Sequence, residues 1–304
     1  MSAALAIHRP ANALEIAAIV RDAAAAGHVL RIRGAGTWLG AGHAVRADAG
    51  ISLAAMRGIT SYRPEDLTLS AGAGTTLAEL DAATRAHGQW CPLLPWGDDD
   101  GTVGATVATA TAGPFAERLG RPRNLVLGLE CVDGTGRVIA AGARVVKNVA
   151  GFDLTRAVTG SWGVLAVITQ LHLRLRSRPA VDESWALTAP ESSDAAVRTF
   201  ASGPFAPLGC VRVDADDARA LGLGDARWLV RIGGNAGFVT AARGALRALG
   251  AVRDADATSW NVVRRRLAPE PRAMHWRWDP LSLRLRERFD PARVLNRGLL
   301  GEPE

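Results

Sequence analysis

The chain has 304 residues, a formal net charge of +6, 48% apolar residues and 22% charged residues. This length accommodates one large domain or two of ordinary size, and the composition is that of a globular protein rather than a disordered one. No window approaches the ~20 apolar residues of a membrane span, and the N-terminus lacks a signal-peptide pattern. Three scattered cysteines form no CxxC pair, which favours a reducing compartment.

The positive charges are dispersed along the sequence apart from two short runs. These runs are Arg174-x-Arg176-x-Arg178 and Arg264-Arg265-Arg266. No aromatic residues interleave with them, as a nucleic-acid surface would require, so solvated faces are the favoured interpretation. An anionic cofactor or an acidic partner protein would also suit the charge.

The N-terminal segment predicts a helix that leads into a strand and a glycine loop. Asn12 and Glu15 are spaced as a helix cap, and Gly27 is suited to the helix end. The apolar stretch 28–33 then predicts a strand that runs into Arg33-Gly34-Ala35-Gly36-Thr37.

A second strand-to-glycine unit follows the first. Residues 66–71 predict a strand that meets the glycine loop 71–74. Thr76 and Glu79 form a capping-box pattern for a helix that ends near Gly88. Gly72 and Gly74 are explained equally well by a tight turn and by a close ligand approach.

The next segments alternate between irregular and strand-like. Residues 91–124 are rich in Gly, Ala, Thr and Pro, and a segment of that length is too long for a passive connection. A hairpin is predicted from 125 to 141 with its turn at 133–136. Alternating apolar residues then predict a long strand at 164–176, which ends at a domain boundary near 177–179.

The remainder of the chain predicts a smaller unit and a tail. Segments near 184–188, 193–201, 209–214, 227–233, 236–249 and 252 follow the order β-α-β-β-α-β of ferredoxin-like domains. The tail 271–304 contains "LRERFDPARVLNRG" and is expected to return to the first domain.

The first glycine loop does not fit a dinucleotide fingerprint. Gly34 and Gly36 match G-x-G-x-x-G, but Leu39 occupies the third glycine position. The following residues show no helical periodicity, so no helix would direct its N-terminus at a pyrophosphate. A bare turn and a loop whose amides form an anion-binding nest both stay open.

Seven segments in order carry a family resemblance. They are "RIRGAGT", "LTLSAGAGTTLAEL", "PLLPWGDDDGTVGATVATATAGP", "RNLVLGLECVDGTGRVI", "VVKNVAGFDL", "GSWGVLAVITQLHLRL" and "FDPARVLN". Together they resemble the vanillyl-alcohol-oxidase-like family of PCMH-type FAD-binding proteins. The short cap and "VVKNVAGFDL" are most similar to the FAD-binding E subunits of bacterial glycolate oxidases.

The resemblance implies a fold class and a domain organisation. It implies an α+β fold in which residues 1–178 form a PCMH-type FAD-binding domain of two subdomains. Residues 179–270 would form a small ferredoxin-like α/β cap, and residues 271–304 would be a C-terminal segment returning to the FAD domain.

The resemblance also assigns residues to the cofactor, with the first glycine loop at the pyrophosphate and later segments around the flavin. The implied cofactor-binding residues are Arg33, Gly34, Ala35, Gly36, Thr37, Trp38, Pro95, Trp96, Gly97, Thr102, Val103, Gly104, Thr106, Thr109, Lys147, Asn148, Gly163, Val167 and Ile168. Lys147 and Asn148 could equally form a solvated loop, and Trp96 and Trp162 could be core residues.

The sequence departs from the family at informative positions. Many relatives link FAD covalently through a His in the first glycine loop, and Thr37 stands at that position, which predicts non-covalent FAD. Trp162 and Phe152 replace a common Glu and Tyr. The cap contains no His, and no metal site is predicted. The catalytic residues stay unknown, with His275 as a weak candidate for contact with substrate or flavin.

The resemblance implies a FAD-dependent oxidoreductase subunit of a glycolate-oxidase-like complex. Its partners would be a paralogous flavoprotein subunit and an iron–sulfur subunit, and the complex would oxidise a small 2-hydroxyacid such as glycolate or D-lactate. The expected location is cytoplasmic, with peripheral attachment to the inner membrane through partners as an extension. A self-sufficient hydroxyacid oxidase and a non-catalytic architectural subunit are the alternatives.

Overall fold

The computed structural model describes residues 5–142, 154–268 and 278–301. The strands are β1 (Ala6–His8), β2 (Leu30–Arg33), β3 (Ala49–Ser52), β4 (Ile59–Arg63), β5 (Thr68–Gly72), β6 (Gln89–Trp90), β7 (Val126–Asp133), β8 (Val138–Gly142), β9 (Ala166–Arg174), β10 (Arg176–Ser177), β11 (Val181–Thr188), β12 (Gly209–Arg212), β13 (Trp228–Gly234) and β14 (Ala251–Asp254). The helices are α1 (Ala13–Ala26), α2 (Leu77–Arg85), α3 (Val103–Thr109), α4 (Ala116–Leu119), α5 (Pro122–Leu125), α6 (Leu154–Val158), α7 (Asp194–Ser202), α8 (Ala215–Ala220), α9 (Ala236–Arg247), α10 (Ser259–Arg266) and α11 (Pro280–Phe289).

Helix α1 begins and ends where the sequence predicts. The side chain of Asn12 accepts a hydrogen bond from the amide of Glu15 at 3.0 Å, which satisfies one free amide of the first turn. Gly27 closes the helix with a φ of 69°, a conformation that glycine adopts without steric cost. Ile16 and Val20 are fully buried one turn apart, and the chain then enters the small parallel sheet β1-β3-β2.

A five-stranded antiparallel sheet forms the centre of the first part of the chain, with the strand order β4-β5-β9-β7-β8. Strand β9 pairs with both β5 and β7. Leu171 and Leu173 are fully buried and Arg174 is exposed, as the predicted alternation requires. The β7–β8 hairpin is also confirmed. The buried Asp133 carboxylate accepts hydrogen bonds from the amides of Thr135 and Arg137, both at 3.0 Å.

The segment 91–124 contains short helices that its composition did not predict. Val103 and Val107 of α3 are fully buried, while small residues let the helix pack closely. A Cβ at Gly104 would lie 2.7 Å from the Cβ of Ala73. Glycine and alanine therefore replace large apolar residues here because two backbones approach each other.

A second antiparallel sheet, β12-β13-β11-β14, carries helices α7 and α9. Its elements follow the predicted β-α-β-β-α-β order, with the additional helix α8 between β12 and β13. Trp185 and Leu187 of β11 are fully buried under these helices. Helix α10 was not predicted, because its run of arginines resembles a solvated face.

The C-terminal residues pack against strand β2 of the small sheet. Leu295 forms an isolated parallel bridge with Leu30. The Asp290 carboxylate accepts hydrogen bonds from the amides of Val294 and Leu295, at 2.9 and 2.8 Å. These bonds hold the segment that delivers Asn296 to the cleft described below. In the described ranges, none of the helices has the length and apolar character needed to span a bilayer.

Candidate cofactor-binding site

An open cleft of about 640 Å³ lies between strand β2, the first glycine loop, helix α3 and the start of strand β9. The apolar lining residues are Ile32, Leu39, Leu53, Ala105, Ala108, Ala166, Val167, Ile168 and Leu299. Such walls suit an extended ligand with flat apolar parts.

The first glycine loop forms one rim of the cleft as a series of turns, with no helix following it. Gly36 has a φ of 92°, and a Cβ at Gly34 would lie 2.3 Å from Oγ1 of Thr102. Within the described chain, no amide from Ala35 to Trp38 donates a hydrogen bond to another protein atom. Neighbouring amides without protein acceptors form a concavity that binds anions, so the nest interpretation fits the geometry.

Two arginines add positive charge to the same rim. Arg31 and Arg33 stand two positions apart in β2, which places them on the same face of the strand, and both line the cleft. Burial lowers the pKa of Arg31, yet a guanidinium stays charged at any physiological pH. The amides and the guanidiniums together suit a pyrophosphate.

Asn296 connects three segments at the base of the cleft. Its Oδ1 accepts a hydrogen bond from the Ile32 amide at 2.9 Å, and its Nδ2 donates to the Trp162 carbonyl at 2.9 Å. Trp162 has a φ of 56°, a costly conformation for a bulky residue. Gly163 follows with a φ of 70°. Asn296 therefore holds the turn that exposes the Gly163 backbone to the cleft.

Aromatic and hydroxyl groups complete the walls. Trp38 and Trp162 meet edge to face, with ring centroids 6.0 Å apart. Thr109 lies at the end of α3, where its hydroxyl donates to the carbonyl of Ala105 at 2.8 Å. The Oγ1 atoms of Thr109 and Thr111 are 2.6 Å apart.

Many of the residues predicted from the sequence line this one cleft. They are Arg33, Gly34, Gly36, Thr37, Trp38, Gly104, Thr109, Gly163, Val167 and Ile168. Ala35 and Thr102 are adjacent to it but are not lining residues, and Val103 and Thr106 are buried beneath it. Lys147, Asn148 and the candidate catalytic His275 lie outside the described residues.

The turn formed by Pro95, Trp96 and Gly97 faces the cap instead of the cleft. Nε of Arg264 donates to the Pro95 carbonyl at 2.7 Å, and the Gly97 amide donates to the Arg264 carbonyl at 2.9 Å. Trp96 packs against the apolar cluster that includes Trp260. The predicted contact of these three residues with the cofactor stays a prediction.

Sequence reasoning did not single out Arg31 or Asn296 as site residues. Arg31 gave a signal that could have been used, because it stands two residues before Arg33 in a strand that ends at the loop. Asn296 lies in the family-like segment "FDPARVLN", but its contacts with Ile32 and Trp162 span more than a hundred residues of sequence. Such distant contacts are invisible in a local pattern.

No group of His, Cys, Asp or Glu side chains in the described residues is arranged to hold a metal ion. The thiols are also unsuited to nucleophilic chemistry. Burial raises the pKa of Cys91 and Cys131 to about 12, so both thiols are protonated at neutral pH.

Comparison with known proteins gives consistent relationships. The family model described as "FAD binding domain" matches residues 4–142. The chain is 39% identical to glycolate oxidase subunit GlcE of Escherichia coli over 125 residues, or 40% of this chain and 35% of that protein. It is 38% identical to a D-lactate dehydrogenase of Archaeoglobus fulgidus over 168 residues, or 55% of this chain and 38% of that protein.

A solved structure with a similar fold is alkyldihydroxyacetonephosphate synthase. Its TM-score is 0.69 at 16% sequence identity, with 85% of this chain and 55% of that chain covered. At this identity the likeness concerns the fold. The matched segments of the two sequence relatives span less than two fifths of those proteins.

The fold is of the PCMH type, and the cleft lies in the part of the chain that includes the match to a FAD-binding domain. Residues 4–142 match the model of a FAD-binding domain, and this match together with the relatives supports FAD as the cofactor. The unpaired amides beside Arg31 and Arg33 fit the pyrophosphate of that cofactor, and the apolar wall fits its rings.

Proposed function

We propose that this chain is the FAD-holding subunit of an oxidoreductase complex that acts on a small 2-hydroxyacid such as glycolate or D-lactate. The observation that supports the proposal most directly is the cleft, where loop residues 36–38, whose amides have no acceptor in the described chain, and two arginines meet an apolar wall. The subunit role draws on the similarity to glycolate oxidase subunit GlcE.

Different residues of the chain would hold the pyrophosphate and the ring systems of the cofactor. The glycine loop would hold the pyrophosphate through fixed donors that need no reorganisation. Arg31 and Arg33 would neutralise its charge. The small residues of α3 would let flat rings lie against the helix, and the bound isoalloxazine would supply the electron-transfer chemistry.

Thr37 suggests how the cofactor is held. It lines the cleft at the position that the family resemblance assigns to a flavin-linking His. A threonine hydroxyl forms no such linkage, so we propose non-covalent FAD. Acid precipitation of the purified protein should release all of the yellow colour to the supernatant, whereas colour retained in the pellet would contradict this assignment.

The partners would be a paralogous flavoprotein subunit that oxidises the substrate and an iron–sulfur subunit that accepts electrons. The similarity to glycolate oxidase subunit GlcD of Bacillus subtilis, 31% over 144 residues, is consistent with descent from a common flavoprotein. The complex would be cytoplasmic, with any attachment to the inner membrane made by its partners.

The test uses the visible spectrum of the purified chain and of the complex isolated from the native host. We expect flavin in both preparations, and bleaching by glycolate or D-lactate only in the complex. Bleaching of the isolated chain would instead support a self-sufficient hydroxyacid oxidase, the second candidate, favoured by the similarity to a D-lactate dehydrogenase.

A colourless preparation would point to a third candidate, a subunit that does not bind FAD. FAD that binds the native state raises thermal stability by mass action. A chain that stays colourless and gains no stability with added FAD would be an architectural subunit with a degenerate site, which would overturn the proposal.

A further inference from the structure

A second concavity, which we term the arginine groove, lies where the far end of strand β9 meets the cap. Its volume is about 1,070 Å³. The ten lining residues are Leu67, Trp90, Arg118, Leu119, Arg174, Leu175, Arg176, Ser177, Pro179 and Leu208. Three of them are arginines, and the set includes no Asp or Glu.

The three arginines are exposed and carry uncompensated charge. In the described residues, no ion pair involves Arg118, Arg174 or Arg176. Among the described residues, the one acceptor of Arg176 is the carbonyl of Leu119, at 3.2 Å. Like charges around one concavity repel each other, and an anionic occupant removes that repulsion.

The floor of the groove is fixed by Trp90. The guanidiniums of Arg178 and Arg231 lie over its ring, at 5.3 and 5.6 Å from the centroid. These two arginines are already occupied by carboxylates, Arg178 by Asp81 and Arg231 by Asp182. They therefore rigidify the floor and leave recognition to the three exposed arginines.

Trp90 also carries an unpaired polar atom. Trp90 is only 4% exposed, and its buried Nε1 has no hydrogen-bond partner among the described residues. Leu119, Leu175 and Leu208 also present apolar edges to the groove. An occupant with acidic groups and apolar side chains would match this lining.

The groove is separate from the cofactor cleft. The cleft uses Ala166 to Ile168 of β9, whereas the groove begins at Arg174. Six residues of extended strand separate these positions, which is roughly 20 Å at ~3.3 Å per residue. The two concavities share no lining residue.

We propose that the arginine groove binds an acidic, partly apolar peptide segment of a partner protein. The groove is open to solvent, which suits an extended chain more than an enclosed small molecule. Arginine forms bidentate hydrogen bonds with carboxylates, so acidic side chains at alternate positions would pair with the rim. This inference stands independently of the redox reaction proposed above.

The probe is a fluorescein-labelled octapeptide in which Glu and Leu alternate, compared with the same peptide carrying Gln in place of Glu. We expect the acidic peptide to bind the flavin-loaded chain with an affinity that falls as salt rises, because exposed charge pairs are screened. The neutral peptide should bind at least about tenfold more weakly. Equal binding of the two peptides would overturn the proposal.

The variant R118A/R174A/R176A is expected to weaken binding of the acidic peptide about tenfold or more. The matched control is R46A/R123A/R247A, which removes the same charge at exposed arginines elsewhere. A similar loss in both would show that net charge and not the groove binds the peptide. R118A/R174A keeps the Arg176 bond to Leu119, and we expect an intermediate loss from it.

A short DNA duplex tests the competing class of macromolecule. We expect it to bind more weakly than the acidic peptide and without dependence on the three arginines. Tighter, groove-dependent binding of the duplex would overturn the peptide assignment. Flavin content, measured from the visible spectrum of every variant, should be unchanged because the groove and the cleft are distinct.

Discussion

The cofactor cleft and the arginine groove lie at opposite ends of strand β9 and present positive groups in different ways. In the cleft the donors are amides of a short loop and two partly buried arginines. In the groove they are three exposed guanidiniums on long side chains. Backbone donors are pre-organised and lose little entropy on binding, whereas exposed arginines must be ordered by their ligand. A ligand in the cleft would therefore meet donors already in place, whereas a ligand in the groove would have to order the arginines that bind it.

A substitution in the first glycine loop is expected to have the largest effect on cofactor binding in the cleft. A Cβ at Gly34 would lie 2.3 Å from Thr102 Oγ1, whereas one at Gly40 would meet no atom within 4 Å. We expect G34V to weaken FAD binding roughly 100-fold, because the loop must move from its support. G40V, the matched control, should bind FAD like the wild type. Fluorescence titration of the apoprotein measures both, and equal affinities for G34V and wild type would exclude close packing as the loop's constraint.

Arg264 tests the contact between the cap and the 95–99 turn. It is 2% exposed and bonds both Pro95 and Asp99, the latter at 2.6 Å. We expect R264M to lower the free energy of unfolding by about 3 kcal/mol, because it leaves two buried or half-buried acceptors without their donor.

The neighbouring Arg265 is the control for that variant. It is half-exposed and pairs with Asp98 at 2.9 Å. R265M should change the free energy of unfolding by less than about 1 kcal/mol. Urea denaturation compares the two, and similar losses would show that burial of Arg264 has no energetic consequence.

Variants of Asn296 test how the C-terminal segment supports the cleft. We expect N296A to lower the free energy of unfolding of the apoprotein by about 2 kcal/mol, since it removes the bonds to Ile32 and Trp162. It should also weaken FAD binding by displacing Gly163. N296G removes the same bonds but accepts the φ of 45°, so it should be less destabilised than N296A. A greater loss in N296G would contradict a contribution from that conformation.

The smallest expected effect is a test of independence. R118A/R174A should leave the FAD affinity within about twofold of wild type, because these exposed side chains have no ion pairs in the described chain and lie roughly 20 Å along β9 from the cleft. The same fluorescence titration detects a difference. A marked loss of affinity would mean that the two ends of the strand are energetically coupled.

The predictable parts of the fold are those with local signals. Asn12, Gly27, Thr76 and Asp133 each act where capping or turn chemistry places them. The alternation in β9 and the order of the cap strands were also readable, because burial of one sheet face imposes a period of two. Helix α3 was not predicted, since its close contact with Ala73 requires small residues that carry no helical apolar pattern.

The candidate site was predictable only in part. The glycine loop and Gly163 follow from a recognisable order of segments, and they meet in one cleft. In the sequence, Arg264 belongs to a run of three arginines that was expected to face solvent. In the structure it is buried and bonds Pro95, which is 169 residues away in sequence. Neither composition nor periodicity reports a contact between such distant residues, and the same limit applies to Asn296.

The position of Asn296 has a consequence for biogenesis. Its bond to the Ile32 amide joins residues 264 positions apart, and Leu295 extends the sheet beside Leu30. During synthesis the N-terminal residues emerge first, at about 5–20 residues per second. Strand β2 and its glycine loop therefore lack their final support until the tail has been made. The cleft therefore acquires the Asn296 contact only after residues 294–296 have been synthesised.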